Sequence, residues 1–392
     1  MIPYGRQNIT EADIQAVVDV LRSDRITQGP KVPVFEKSVA TYCNAGHAVA
    51  ANSATSALHL ACRALGIGEG HTVWTSPITF VASANCAHYC GAEVDFVDID
   101  PDTYNMSLSA LETKLAEAEK TGSLPRAVIP VHMCGQSCDM EAIHVLSRKY
   151  GFSIVEDASH AIGGYYQGKP IADCRFSDIA VFSFHPVKII TTAEGGMAVT
   201  NNSQMAWKME LLRSHGITRE FWHGLRGIED GSDLAPAWYY EQLALGYNYR
   251  MTELQAALGL SQLKRLDEFV AKRHELAKRY DELLAGFSLT LPRQQPDSYS
   301  AWHLYIIRLK LKELRQSRRQ IFDYLQAQGI GVNVHYIPVH TQPYYQTLGF
   351  RLGQYPEAEK YYQEAVTLPL FPAMGQDEQD HVADALRKAL TE

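Results

Sequence analysis

The sequence predicts an α/β protein: a large domain with a mostly parallel sheet over residues 1–250, followed by a smaller α+β domain over 251–392. Three observations carry this. Short apolar runs alternate with helical stretches or long connections as far as Tyr249, the signature of strands joined by crossovers. The runs are almost wholly apolar, which suits strands buried on both faces. After Tyr249 the pattern changes, and Thr252-Glu253-Leu254-Gln255, with capping-box spacing, opens a long amphipathic stretch.

In chain order, Thr10 opens a helix with Ile14, Val17, Val18 and Leu21 on one face. Asn52-Ser53-Ala54-Thr55-Ser56 precedes a second helix that carries Leu58, Leu60, Ala61, Ala64 and Leu65 and ends near Gly66. Thr72–Ser76, Val94–Ile99, Ala127–Val131, Ser153–Val155, Ile179–Phe184 and Met197–Thr200 are the expected strands. A long helix over about 252–285, with Leu258, Leu263, Leu266, Phe269, Leu276, Tyr280 and Leu283 along it, is expected to link the domains. Beyond it come a strand-like Trp302–Leu309, a helix ending near Gly329, a short strand Val332–His335 and a last helix near Glu378–Leu390.

The 392 residues are 46% apolar and 20% charged, so the chain is long and apolar enough to build a sizeable core. Lys and Arg total 36 against 44 Asp and Glu, a formal charge of −8, which argues against a protein that coats nucleic acid or an anionic membrane. A small anionic ligand remains compatible with it. No apolar run approaches the ~18 residues of a membrane span. Met1-Ile2-Pro3-Tyr4-Gly5-Arg6-Gln7 has no secretory pattern, so a cytoplasmic protein is expected. The seven cysteines are scattered and odd in number, a poor disulfide framework.

Several motifs carry little. Gly163-Gly164-Tyr165-Tyr166-Gln167-Gly168-Lys169-Pro170 imitates a phosphate loop, but Pro170 stands where a magnesium-binding hydroxyl belongs. There is no G-x-G-x-x-G and no G-x-S-x-G. His132, Cys134 and Cys138 fit no standard zinc spacing, so no metal is expected.

Four features converge instead. Phe152-Ser153-Ile154-Val155-Glu156-Asp157 ends an apolar run in acids, at the end of a strand where open α/β sheets bind ligands; taken singly, Asp157 also reads as a helix cap. Lys188 lies just beyond the aromatic run Phe182-Ser183-Phe184, in a loop that closes on Gly195-Gly196; taken singly it reads as a surface lysine, but beside a sheet end it is able to form a Schiff base. Asn52–Ser56 at a helix start is either an ordinary cap or a phosphate cradle. Phe80 is either core or a stacking surface for a planar ring. Together they supply what pyridoxal 5′-phosphate requires: an amine for the aldehyde, a carboxylate for the pyridine nitrogen, a cradle for the phosphate and an aromatic for the ring face.

With these residues in place, the chain resembles the DegT/DnrJ/EryC1/StrS family of sugar aminotransferases over nearly its full length. The matching segments are Arg25-Ile26-Thr27-Gln28-Gly29-Pro30, Phe35-Glu36, Glu156-Asp157-Ala158-Ser159-His160-Ala161, Ser183-Phe184-His185-Pro186-Val187-Lys188, Gly246-Tyr247-Asn248-Tyr249-Arg250-Met251, His335-Tyr336-Ile337-Pro338-Val339-His340 and Leu368-Pro369-Leu370-Phe371-Pro372. The resemblance implies the type I aspartate-aminotransferase fold. It makes Lys188 the Schiff-base lysine and general acid/base, and pairs Asp157 with the pyridine nitrogen. It assigns phosphate contacts to Ala54, Thr55 and Ser183, the ring stack to Phe80 and the side of the ring hydroxyl to His160. Asn248 is expected to reach the phosphate of a neighbouring subunit, in a homodimer with shared active sites. The Lys188 segment is most similar to the branch that aminates C4 of a UDP-linked 4-keto-6-deoxy-N-acetylhexosamine, with L-glutamate as donor. A 4-keto-pentose, a dTDP sugar or a 2,4-diamino sugar route is the alternative. Family members that are dehydratases carry His in place of the Schiff-base lysine, so Lys188 argues for transamination. Sugar and nucleotide contacts are expected from Tyr4, Gln28, His335 and Tyr336, and Arg226 and Arg250 are candidates for binding an anionic group, each of which also reads as a structural ion-pair partner. Two departures stand out: Ala54 replaces the usual glycine of the cradle, and Ala193 stands where relatives often have glycine.

Overall fold

The computed structural model describes residues 1–219 and 237–391. Its first nine strands are β1 (His47–Ala51), β2 (Thr72–Thr75), β3 (Glu93–Phe96), β4 (Ala127–Ile129), β5 (Ser153–Asp157), β6 (Tyr165–Tyr166), β7 (Lys169–Pro170), β8 (Ile179–Ser183) and β9 (Gly196–Thr200). Seven of them form one sheet in the order β1-β9-β8-β5-β4-β2-β3. The pairings from β3 through β2, β4 and β5 to β8 are parallel, and β9 runs antiparallel to both of its neighbours. Strand β1 was not among the expected runs, because His47-Ala48-Val49-Ala50-Ala51 is rich in small residues with weak strand preference. Its pairing to β9 places it.

Alternation along the strands divides the core in two. Val155, Ile179 and Val181 face one apolar cluster, and Ile154, Ala180 and Phe182 the other. All these side chains are buried, so each face of the sheet is covered. The false phosphate loop is a hairpin of β6 and β7. Gln167 and Gly168 both have positive φ (48° and 70°), as a type I′ turn requires.

Three expectations need correction. The helix Glu11–Leu21 does not bury its apolar stripe: Ile14 and Leu21 are 48% and 58% exposed. Asp13 is buried in their place, accepting from Gln262 Nε2 (2.9 Å) and Arg265 Nη2 (2.6 Å), so polar docking sets which face turns inward. The long helix over 252–285 is two helices, Glu253–Leu263 and Leu266–Leu283. At the break, Arg265 reaches back to Asn8 and Asp13. Val332–His335 is not a strand: Asn333 alone bridges Thr367, and the segment otherwise turns toward the site.

A second, antiparallel sheet pairs Leu289–Thr290, Tyr305–Leu309 and Ala365–Leu368. Around it lies a separate apolar core that includes Leu276, Tyr280, Leu325 and Leu386. The chain's first residues join this core although sequence order groups them with the large sheet. Ile2 exchanges backbone hydrogen bonds with Gly329 and Gly331 (2.8 and 2.7 Å), and Tyr4 O accepts from Leu370 N–H at 3.0 Å. That arm carries Tyr4 to the edge of the site. Among the described residues no helix is long and apolar enough to cross a membrane.

Candidate active site

The carboxyl ends of β5 and β8 lie side by side, which brings Asp157 and the loop holding Lys188 to one sheet edge. Asp157 is buried. Its Oδ1 accepts from Ser159 N–H (3.1 Å) and its Oδ2 from Ser83 Oγ–H (2.5 Å). Thr79 Oγ1 lies 2.6 Å from Ser83 Oγ. Because the single Ser83 proton goes to the carboxylate, Thr79 donates to Ser83, and two hydroxyls in series fix Asp157. Phe80 sits within that same turn. It is 59% exposed, borders the cleft, and has its ring 6.4 Å from that of Tyr336. A large aromatic exposed in a cleft is a ready stacking surface.

Lys188 is half-buried, in a turn closed by its N–H on His185 O at 2.9 Å. Burial pushes its amine down to about 8, against the opposing pull of Asp157. Nζ lies 3.5 Å from His303 Nε2. The rings of His303 and His160 are 4.4 Å apart, and His160 Nε2 lies 3.0 Å from the Tyr336 hydroxyl. Burial first, then the positive charge of Lys188, pushes His160, His303 and His335 down, His335 to about 3. All three are neutral at physiological pH.

On the far side of β9, the helix Ala54–Ala64 starts at Ser53, whose Oγ accepts from Ser56 N–H at 3.1 Å. Ala57 N–H bonds Ser53 O. The N–H groups of Ala54 and Thr55 are thereby left for a ligand at the positive end of the helix. Gly196 allows β9 to lie against this turn: a Cβ there would sit 2.5 Å from Ala54 N and Ser53 C.

These elements enclose a cleft of about 650 Å3, an ordinary size for a cofactor and part of a substrate. Tyr4, Ala54, Thr55, Phe80, Asp157, His160, Ser183, Lys188, His335 and Tyr336 all border it. Gln28, Asn248 and Arg250 do not border it within this chain. Gln28 is exposed with φ 49°, Asn248 is exposed and bridges Ser214, and Arg250 donates to Ser214 Oγ at 3.0 Å. Arg226 lies outside the described residues. Sequence reading missed Ser83 and His303. A hydroxyl three residues after Phe80, and a histidine directly before the apolar run Leu304–Leu309, were the available signals.

A planar, phosphorylated aldehyde fits this set. An amine, a fixed carboxylate, an exposed ring and a helix start face one cavity, and Nδ1 of both His160 and His303 is buried there without a partner. Lys188 is the one Lys or Arg among the described lining residues, so a phosphate would rest on N–H and hydroxyl groups.

Comparison with known proteins agrees. The model of the DegT/DnrJ/EryC1/StrS aminotransferase family matches residues 7–387. The UDP-4-amino-4,6-dideoxy-N-acetyl-β-L-altrosamine transaminase of Campylobacter jejuni (strain 81-176) is 38% identical over 98% of this chain and 96% of its own. PseC of Helicobacter pylori, an aminotransferase of pseudaminic acid biosynthesis, superposes with a TM-score of 0.88 at 32% identity, over 99% of both chains. Spr1654 of Streptococcus pneumoniae, solved in its PMP form, does so with a TM-score of 0.87 at 32% identity, over 99% of both chains. The fold is thus the α/β type I fold of pyridoxal-phosphate enzymes. The chain belongs to the DegT/DnrJ/EryC1/StrS family, as a pyridoxal-phosphate-dependent nucleotide-sugar aminotransferase.

Proposed function

We propose that the enzyme moves an amino group from L-glutamate to C4 of a UDP-linked 4-keto-6-deoxy-N-acetylhexosamine, giving UDP-4-amino-4,6-dideoxy-N-acetyl-β-L-altrosamine, with Lys188 as the residue that bonds the cofactor. The observation that carries this reading is the Lys188 amine in a cleft with the fixed Asp157 carboxylate. The named activity of the Campylobacter jejuni relative supports the substrate.

When bound, pyridoxal phosphate supplies an electron sink that makes a carbon-bound proton labile. The chain's residues do the rest. Ala54 and Thr55 N–H groups, with the Thr55 and Ser183 hydroxyls, would hold the phosphate. Asp157 would keep a proton on the ring nitrogen, and its two hydrogen bonds hold the carboxylate in place for that. Phe80 would cover a ring face, and His160 would stand on the side of the ring hydroxyl. Lys188, once free, takes the proton from Cα of glutamate at its Nζ, and in the second half it delivers a proton to C4 of the sugar. An amine held near 8 exists in both protonation states around neutrality, as such a shuttle requires.

Tyr4, His335 and Tyr336, which line the cleft, are with Gln28 the sugar and nucleotide contacts of this reading. It also includes a homodimer in which Asn248 serves the neighbouring site, with Arg226 and Arg250 as candidates for binding an anionic group. The exposed Asn248 and the uncovered Ile14 and Leu21 support that arrangement. The test is a panel of UDP- and dTDP-linked 4-keto sugars, assayed for glutamate-dependent amine formation. The UDP-linked N-acetylhexosamine is expected to react best, and Lys188→Ala to abolish turnover. A stronger reaction with a 4-keto-pentose or a dTDP sugar would replace the substrate assignment.

A further inference from the structure

Among the described residues, the Lys188 amine has one hydrogen-bonding partner, His303 Nε2 at 3.5 Å. His303 is 4% exposed, and its Nδ1 is buried with no partner. Its backbone is held on both sides. The N–H donates to Cys134 O at 2.8 Å, and the carbonyl accepts from Arg273 Nη1 at 3.1 Å. The same Nη1 serves the carbonyls of Trp302 (3.1 Å) and Leu370 (2.9 Å). Arg273 is buried and has no carboxylate partner among the described residues, so its charge is spent on fixing backbone, including that of His303. Trp302, directly before His303, has φ 47°, a left-handed conformation that a bulky residue adopts only where its surroundings impose it.

The titratable groups acting on His303 are Lys188, His160, Arg273 and His335, none of them a carboxylate. Asp157 acts on Lys188, and Tyr336 engages His160. A neutral imidazole in that company offers a lone pair to a neighbouring N–H.

We propose that His303 is the docking acceptor of the catalytic lysine: its Nε2 holds the Lys188 amine whenever Lys188 is not bonded to the cofactor. This rests on the reading of Lys188 as the cofactor-bonding residue. A lysine side chain has several rotatable bonds, and Lys188 leaves the cofactor in the first half of the reaction and must return to it at the end of the second. Donation of one N–H to a fixed acceptor confines the chain and turns the lone pair of the neutral amine away from His303, toward the cleft. His303 is therefore a positioning residue acting on a reacting atom.

The test compares His303→Gln, whose amide oxygen reaches the place of Nε2, with His303→Asn, equally polar but too short. Cofactor-free proteins are mixed with pyridoxal phosphate between pH 6.5 and 9.5, and the growth of visible absorbance is timed. The expected result is about tenfold slower capture in the Asn variant, the size of a lost hydrogen bond to an amine, and near wild-type capture in the Gln variant. Binding of pyridoxamine phosphate, which cannot bond to lysine, is measured in parallel, and the capture rate of the Asn variant should fall by more than its affinity for pyridoxamine phosphate; equal falls in the two would overturn the proposal. Capture by the Asn variant at the wild-type rate, or equal slowing in both variants, would overturn the proposal. If the Asn variant does not fold, His303→Leu takes its place in the same comparison. Lys188→Ala protein that still developed the absorbance would remove the premise about Lys188 instead, which separates the two failures.

Discussion

Replacing Lys188 by methionine should stabilise the cofactor-free protein at neutral pH, and the gain should fade as the pH rises. The folded-state amine lies at about 8, against an ordinary 10.5, because burial disfavours its charge more than Asp157 favours it. At about 1.4 kcal/mol per tenfold change in proton affinity, holding the charged form in the fold costs about 3 kcal/mol. The sign follows from linkage. Between pH 8 and 10.5 the unfolded chain binds the proton and the folded protein does not, so wild-type stability climbs with pH through that window. Below pH 8 the full cost stands. At pH 9.5 about 1 kcal/mol of it remains. Methionine has a similar reach and no charge to desolvate. The lost bond to His303 takes back about 1 kcal/mol at every pH, leaving a net gain near 2 kcal/mol at pH 7. The assay is urea denaturation of both cofactor-free proteins at equal concentration, at pH 7 and 9.5. The difference between them should shrink by about 2 kcal/mol over that interval. A difference that stays constant would refute the idea that burial of the Lys188 charge sets its proton affinity.

Three further outcomes follow from particular contacts. Ser83→Ala removes a donor to Asp157 that lies 2.5 Å away, and the loaded enzyme should lose its cofactor at least about tenfold faster after dilution, with its melting temperature less affected. Gly196→Ala drives a Cβ against Ala54 N and Ser53 C, displacing the helix start; weaker binding of pyridoxal phosphate and of inorganic phosphate, measured by calorimetry, is the expected result. Asp13→Asn leaves Arg265 without its carboxylate and should cost about 3 kcal/mol in urea denaturation at pH 7. Burial raises the Asp13 carboxyl, but hydrogen bonds from Ser261 and Thr10 and the Arg265 charge outweigh it and hold it below the usual range. Its stabilisation is present above an ordinary carboxylate pKa and lost as pH falls through the lowered one, so the Asn variant and the wild type should converge in acid.

The parts of the fold legible in sequence are those written locally. The buried strands announce themselves as apolar runs, the capping box at Thr252 marks a helix start, and Asp157 ends one strand while Lys188 follows another, at the edge where parallel sheets bind ligands. What sequence left hidden depends on distant partners. Ile14 and Leu21 have helical spacing, but the inward face of their helix is chosen by Asp13 meeting Gln262 and Arg265, about 250 positions away. Strand β1 consists of small residues and needs β9 to exist. His303 is 115 positions from Lys188, and nothing near either residue in the chain specifies their meeting. The chain's first residues pair with 329–331, a contact no periodicity encodes.

The net charge of −8 looks at odds with ligands that carry phosphates, and the site resolves it. Had the cleft bound phosphate with cations, those charges would stand beside Lys188 and push its amine still lower, as Lys188 itself does to His160, His303 and His335. A phosphate held by N–H groups and hydroxyls avoids that coupling. Among the chain's own groups, Lys188 answers mainly to burial and to Asp157, which together place its amine near 8. In the proposed reading, the neutral cradle at Ala54 and Thr55 would hold the phosphate without placing a second cation beside Lys188, the one Lys or Arg of the described cleft.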